Sequence, residues 1–183
     1  MLKNAGLTFE IIPADIDEES LIKQYKSDNL DIACITEKLA EEKAKAIAKL
    51  HPDALVIGSD QTLEIEGQLL SKANNADEAK AKLELLRGQT HILRSSVCLY
   101  HDSELLFTFT DSAELTMHDF DDNFLQVYMD NNQDALTSCV GAYKIEEAGA
   151  ELFSAIKGDQ FTIMGMPLTP LLAYLRNNHG ISI

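Results

Sequence analysis

An α/β domain with a helix-flanked mixed sheet is the fold class that this sequence predicts, and three observations carry it. Apolar residues recur at helical spacing between Ile32 and Leu50. The run Ala54-Leu55-Val56-Ile57-Gly58 is continuously apolar and bounded by turn residues, as in a strand buried on both faces. Further β-rich and helical stretches alternate to the end of the chain.

Taken in order, residues 8–13 read as a short strand with Phe9, Ile11 and Ile12 as its apolar content. Asp15-Ile16-Asp17-Glu18-Glu19-Ser20 reads as an acidic loop. Ile32, Ile35, Leu39, Ala40, Ala44, Ile47 and Leu50 form one face of an amphipathic helix over about residues 31–50. His51-Pro52-Asp53 ends it, because proline cannot continue the hydrogen-bond ladder.

After the strand at 54–58, Leu63 and Ile65 return through Glu66-Gly67-Gln68 to Leu69-Leu70 as a small hairpin. Asn75 caps a helix running to Leu86, and Arg87-Gly88 stops it. Residues 91–101 and 105–117 are β-rich, with Asp102-Ser103 as their turn. A helix over 121–131 and a polar loop over 130–138 follow. Residues 150–156 and 161–164 are short strand candidates joined by Gly158-Asp159. Pro167 begins the last helix, whose core face is Leu168, Leu171, Leu172 and Leu175.

The 183 residues suit a single domain, 1–183, with room for two lobes. Apolar residues make up 45%, enough for a full core. With 15 Lys and Arg against 30 Asp and Glu, the formal charge of -15 argues against a nucleic-acid polymer, whose binding rests on neutralised phosphates. A small phosphorylated ligand needs only a few local cations or a metal. No window approaches a membrane span, and Met1-Leu2-Lys3-Asn4-Ala5-Gly6 lacks a signal peptide's apolar centre, so a cytoplasmic location is expected. Cys34, Cys98 and Cys139 are widely spaced and read as reduced thiols.

Familiar catalytic signatures are missing from the sequence: no Walker-type phosphate loop, dinucleotide fingerprint or nucleophile elbow occurs, and the histidines show no ligand spacing. Carboxylates and lysines at suggestive places remain. Asp60 follows the buried run and is expected at the carboxyl edge of a sheet, where open α/β sheets bind ligands. There it could act as a base or hold a divalent cation; an Asx-turn or helix cap is the structural alternative. Lys72 could neutralise a phosphate, or be a solvated lysine after a hairpin. Glu18 could ligate Mg²⁺, or belong to a solvated charge run. Lys43 can reach from the apolar side of its helix into a cleft, or snorkel to solvent. In Gly141-Ala142-Tyr143-Lys144-Ile145-Glu146, the terminal carboxylate could accept hydrogen bonds from a donor-rich base edge, or be an ordinary exposed glutamate.

Taken in order, Asp17-Glu18, Leu39-Ala40-x-x-Lys43-Ala44, Ile57-Gly58-Ser59-Asp60, Lys72, Gly141-Ala142-Tyr143 and Gly165-Met166-Pro167-Leu168 resemble the Maf family over nearly the whole chain. The resemblance implies an elongated mixed sheet with two lobes around a central cleft. It also implies a cytoplasmic, homodimeric nucleoside triphosphate pyrophosphatase that cleaves between the α- and β-phosphates with Mg²⁺ or Mn²⁺. By the same resemblance Asp60 is the proton acceptor and a metal ligand, Glu18 a further metal ligand, and Lys43 and Lys72 phosphate-binding residues. Gln61 and Glu146 look like the specificity residues of the branch acting on 7-methyl-GTP, since a guanine edge presents N–H donors to a carboxylate. A dTTP/UTP pyrophosphatase of the same family is the alternative. The family's opening strand and Ser-x-Ser-Pro-x-Arg loop precede the stretch with which this chain begins, so two further expectations stand: a protein that begins further upstream, or a catalytically impaired nucleotide-binding or regulatory protein.

Overall fold

The computed structural model describes residues 1–181. It contains helices α1 (Glu18–Ser27), α2 (Ile32–Ala48), α3 (Ala76–Leu86), α4 (Asp122–Asn131), α5 (Gln133–Ser138), α6 (Gln160–Ile163) and α7 (Leu168–His179). The strands are β1 (Val56–Ile65), β2 (Gln68–Leu70), β3 (Thr90–His101), β4 (Glu104–Met117) and β5 (Phe153–Lys157), and a 3₁₀ turn covers Ala148–Leu152. Among the described residues, five strands form one sheet in the order β2-β1-β3-β4-β5. Helices flank it, as the α/β class requires.

Where the alternation of helices and strands suggests a mixed sheet, the pairings are antiparallel: hairpins make two of the four connections, and the two that pass through helices bring the chain back antiparallel to its sheet neighbour. β1 and β2 pair antiparallel, with Leu63 opposite Leu70 and Ile65 opposite Gln68. β4 and β5 pair antiparallel from Glu114–Lys157 onward. Asp102 and Ser103 have φ of 48° and 64°, the primed geometry of a two-residue hairpin, so β3 runs back along β4. Between β1 and β3, Gly58 meets Cys98 while Gln61 meets Ser95, so the numbering descends on one strand as it rises on the other.

The chain divides into two compact units, the first comprising Met1–Gln61, Ser95–Asp111 and Gly165–Ile183. Here β-strand alternation sorts the core into two layers. Val56, Cys98 and Tyr100 pack against Ala40, Ala44 and Ala48 of α2. Val97, Leu99, Leu55 and Ile57 pack against Leu171 and Leu175 of α7. Both faces of the 54–58 run are therefore covered, as expected. The helix expected over 31–50 is α2, capped by the Asp31 carboxylate on Cys34 N–H.

The N-terminal stretch differs from expectation. Residues 8–13 form no strand, and Phe9, Ile11 and Ile12 are 43%, 83% and 42% exposed. An extended segment becomes a strand only where a ladder partner meets its backbone groups, which sequence patterning does not supply. The acidic loop is the start of α1: Asp17 accepts from Ser20 N–H, and Glu18 and Glu19 sit in the first turn, where helix dipole and carboxylate attract.

The second unit comprises Thr62–Arg94 and Ser112–Met164. Its core joins Leu63, Leu83, Leu86, Leu93, Leu115, Leu125, Leu152 and Phe153. Asn75 caps α3 and Gly88 follows it at φ 68°, as the sequence predicts. The expected polar loop at 130–138 is mostly α5, with Ala135 and Leu136 buried. The expected strand at 150–156 begins only at Phe153. The stretch 161–164 lies at helix α6, because Asp159 accepts from both Phe161 N–H and Thr162 N–H and so holds a helical start. At the C-terminal end α7 buries Leu168, Leu171 and Leu175, while Leu172 is half-buried. Among the described residues, no helix is long and apolar enough to cross a membrane.

Candidate active site

In the first unit, Gly58 sets how closely helix and strand approach. A Cβ there would stand 2.4 Å from Ala40 O and 2.6 Å from Ala44 Cβ, so only glycine lets α2 lie against β1 at this point. Lys43 lies on α2 between those two alanines, and its Nζ reaches Asp60 Oδ1 on β1 at 2.5 Å. Glu18, the first residue of α1, completes the group from the other side: its Oε1 is 3.0 Å from the same Nζ. Asp60 is 8% exposed, whereas the Glu18 side chain is 49% exposed, so the group runs from the interior toward solvent. Burial opposes the charge on Lys43, but the Asp60 and Glu18 carboxylates outweigh it and hold the ammonium above the ordinary lysine value.

Asp60 therefore does not follow the end of a strand, as the sequence suggests; it lies inside β1. Gly58 and Ser59 before it are strand as well, with glycine there to admit a helix. Ser59 Oγ lies 2.9 Å from Ser96 O and 2.8 Å from Gly165 O, its hydroxyl shared between β3 and the start of the Gly165-Met166-Pro167-Leu168 segment. Gln61 Nε2 donates to Ser95 Oγ at 3.1 Å. Gly165, at φ 105°, lies beside the Gln61 amide in a conformation that favours glycine.

Glu18 and Asp60 offer hard carboxylate oxygens that converge on one cationic centre, a donor set that suits Mg²⁺ or Mn²⁺. Among the described residues no group of three or more His, Cys, Asp or Glu is arranged to hold a metal. Glu18 and Asp60 are the two carboxylates that would hold such an ion, a number that suits Mg²⁺ beside a phosphate.

The second unit carries the remaining residues. Lys72 is exposed just after β2. Glu146 is exposed in a turn closed by Glu147 N–H on Lys144 O at 3.3 Å. The residues leading into that turn are anchored from beneath. Ala142 is held at φ 59°, a left-handed conformation unusual for a residue with a side chain. Tyr128 Oη donates to Ala142 O at 3.2 Å, and the Tyr143 hydroxyl pairs with His91 Nε2 at 2.7 Å. Burial pushes His91 down to about 4, so its ring is neutral at pH 7. Lys144 is ion-paired with Asp134 and with Glu147.

The structure thus brings together Glu18, Lys43 and Asp60, with Gln61 next to Asp60 along β1, and puts Lys72 and Glu146 in the other unit. Sequence reasoning missed Lys82. Its Nζ donates to Ser71 O at 2.5 Å and to Val140 O at 2.8 Å. A signal was there: Lys82 shares helical spacing with buried Ala79, Leu83 and Leu86, and a lysine on an apolar stripe asks for an explanation.

A family model described as Maf-like protein matches residues 1–178. A nucleoside triphosphate pyrophosphatase of Nitrobacter winogradskyi is 43% identical over 183 residues, covering 100% of this chain and 90% of that protein. Proteins of the same name from Maricaulis maris and Bradyrhizobium diazoefficiens are 41% and 43% identical, covering 99% and 100% of this chain and 91% and 90% of those proteins.

Proposed function

This chain belongs to the Maf family, and on that premise we propose that it is a nucleoside triphosphate pyrophosphatase acting on a guanine nucleotide, 7-methylated in the favoured case. The observation that carries the chemistry is the Glu18–Lys43–Asp60 group. In the proposed reaction a water attacks the α-phosphorus, and Asp60 takes its proton. The bond from that phosphorus to the α–β bridging oxygen breaks, and pyrophosphate leaves with the electron pair, the monophosphate remaining.

Lys43 has two tasks in this scheme. It holds the Asp60 carboxylate in one orientation, and it supplies positive charge where negative charge grows on the phosphoryl oxygens. Mg²⁺ or Mn²⁺ held by Glu18 and Asp60 would supply Lewis-acid polarisation of the phosphoryl group and a more acidic water. Lys72, an exposed point cation, neutralises phosphate oxygens. Glu146 accepts hydrogen bonds from the guanine edge, and Gln61 is a second residue of base selection. A uracil or thymine edge presents mixed donors and acceptors that suit an amide better than a carboxylate.

Pyrophosphate release from 7-methyl-GTP, GTP, dTTP and UTP with Mg²⁺ or Mn²⁺ tests the assignment. Preference for the guanine nucleotides supports it; preference for dTTP or UTP would transfer the chain to the other branch; nucleotide binding without turnover would make it a regulatory protein. The homodimer expected from the family resemblance is checked by sedimentation of the same sample.

A further inference from the structure

We propose that Lys82 is a positioning residue that ties the segment bearing Lys72 to the segment bearing Glu146. This role rests on the assignment of Lys72 and Glu146 to the nucleotide site. Lys82 projects from α3, which packs against α4 and α5. Its ammonium donates to Ser71 O, the carbonyl of the peptide that leads into Lys72. The same ammonium donates to Val140 O, the carbonyl that leads into Gly141-Ala142-Tyr143 and on to the Glu146 turn. Two segments far apart in sequence are thereby held by one cation.

The chemistry favours a dedicated clamp over an incidental lysine. A lysine that serves only solubility keeps its head in water. Lys82 instead is half-buried and directs its head at two neutral carbonyls. Burial pushes it down to about 8, and the attraction of Glu78 offsets only part of that. The ammonium is therefore held against a desolvation penalty, and what it gains is charge-assisted bonding to two carbonyls outside helix and strand. The second segment is already pinned by Tyr128 at Ala142 O and by His91 at the Tyr143 hydroxyl. Ala73 next to Lys72 shares a buried apolar cluster with Val140, Ala142 and Tyr143, and Lys82 adds a polar join between the two segments. Losing that join leaves each segment folded but free to shift, and a shift of this kind weakens substrate positioning rather than proton transfer.

The test uses the full chain with Lys82→Met, Lys82→Gln and Lys82→Arg, read by steady-state kinetics on 7-methyl-GTP and by amide hydrogen exchange. Lys82→Met is expected to raise KM about tenfold or more, the loss of roughly one charged hydrogen bond, with little change in kcat. Exchange should quicken at residues 71–73 and 140–146. Lys82→Gln, which keeps one donor group, should fall between, and Lys82→Arg should recover most of the KM; if Lys82→Met does not fold, Lys82→Gln and Lys82→Arg carry the test. Wild-type KM and exchange in Lys82→Met or Lys82→Gln would overturn the role. Lys72→Ala and Glu146→Ala separate it from the site assignment. If both raise KM and the Lys82 variants do not, the clamp alone is wrong. If neither raises KM although Lys82→Met loosens both segments, the site assignment is wrong and the positioning role falls with it.

Discussion

Lys43 on α2 holds Asp60 on β1 at 2.5 Å, and the contact exists because Gly58 lets the helix lie against the strand. One ammonium holds the carboxylate to which the proposed reaction assigns proton transfer.

Asp60→Asn keeps the shape and removes the base. Pyrophosphate release should fall about a hundredfold or more, the usual contribution of a positioned base, while the circular dichroism melt stays near wild type. Wild-type turnover in Asp60→Asn would reject the assignment. Chelation with EDTA should abolish turnover, and added Mg²⁺ or Mn²⁺ should restore it.

Lys43→Met removes the cation between two carboxylates. The expected result is a loss in kcat larger than the change in KM, because the charge serves the transition state more than the ground state. A pure KM effect would make Lys43 a binding residue only.

Gly58→Ala forces a Cβ to within 2.4 Å of the Ala40 carbonyl oxygen. Either α2 moves away or β1 bends, at about 1–3 kcal/mol of stability. Urea unfolding measures the loss. Activity should fall with it, since the displacement separates Lys43 from Asp60; wild-type stability in this variant would contradict the packing described.

His91 makes stability depend on pH. Its folded value, about 4, lies below the ordinary 6.5, so between those values the unfolded chain binds the extra proton. Stability should therefore be intact above pH 6.5 and decline as pH falls toward 4, by at most about 3 kcal/mol from this group. His91→Phe loses the hydroxyl contact with Tyr143 and is less stable at pH 7. Its deficit against wild type should shrink on acidification, as urea titrations at pH 7, 5.5 and 4.5 would record.

Glu146→Gln, alone and with Gln61→Thr, replaces the carboxylate with an amide that matches a mixed donor–acceptor edge. The ratio of kcat/KM for 7-methyl-GTP over UTP should fall at least tenfold, since an unmet donor in a site costs on the order of 1–3 kcal/mol. An unchanged ratio would remove Glu146 from base selection.

Much of this was legible in the chain. Asn75 and Asp31 mark helix starts because their side chains meet backbone N–H groups locally, and Asp102-Ser103 marks a hairpin because its backbone geometry is local too. Residues 8–13 were not legible, since a strand depends on a partner elsewhere. Residues 161–164 form a helix start because the Asp159 cap outweighs short-range β patterning.

By itself the sequence determined the family, the order of most elements and the residue types from which a phosphate site can be built. Tertiary structure decided which of them meet. Asp60 reads locally as a turn residue, yet it lies inside β1 against Lys43 and Glu18, and Lys82 reads as a helix lysine, yet it joins Ser71 to Val140. The physical reason is the same for both: spacing along one element records which face a side chain occupies, whereas the partner on that face is supplied by another element, at a distance set by packing.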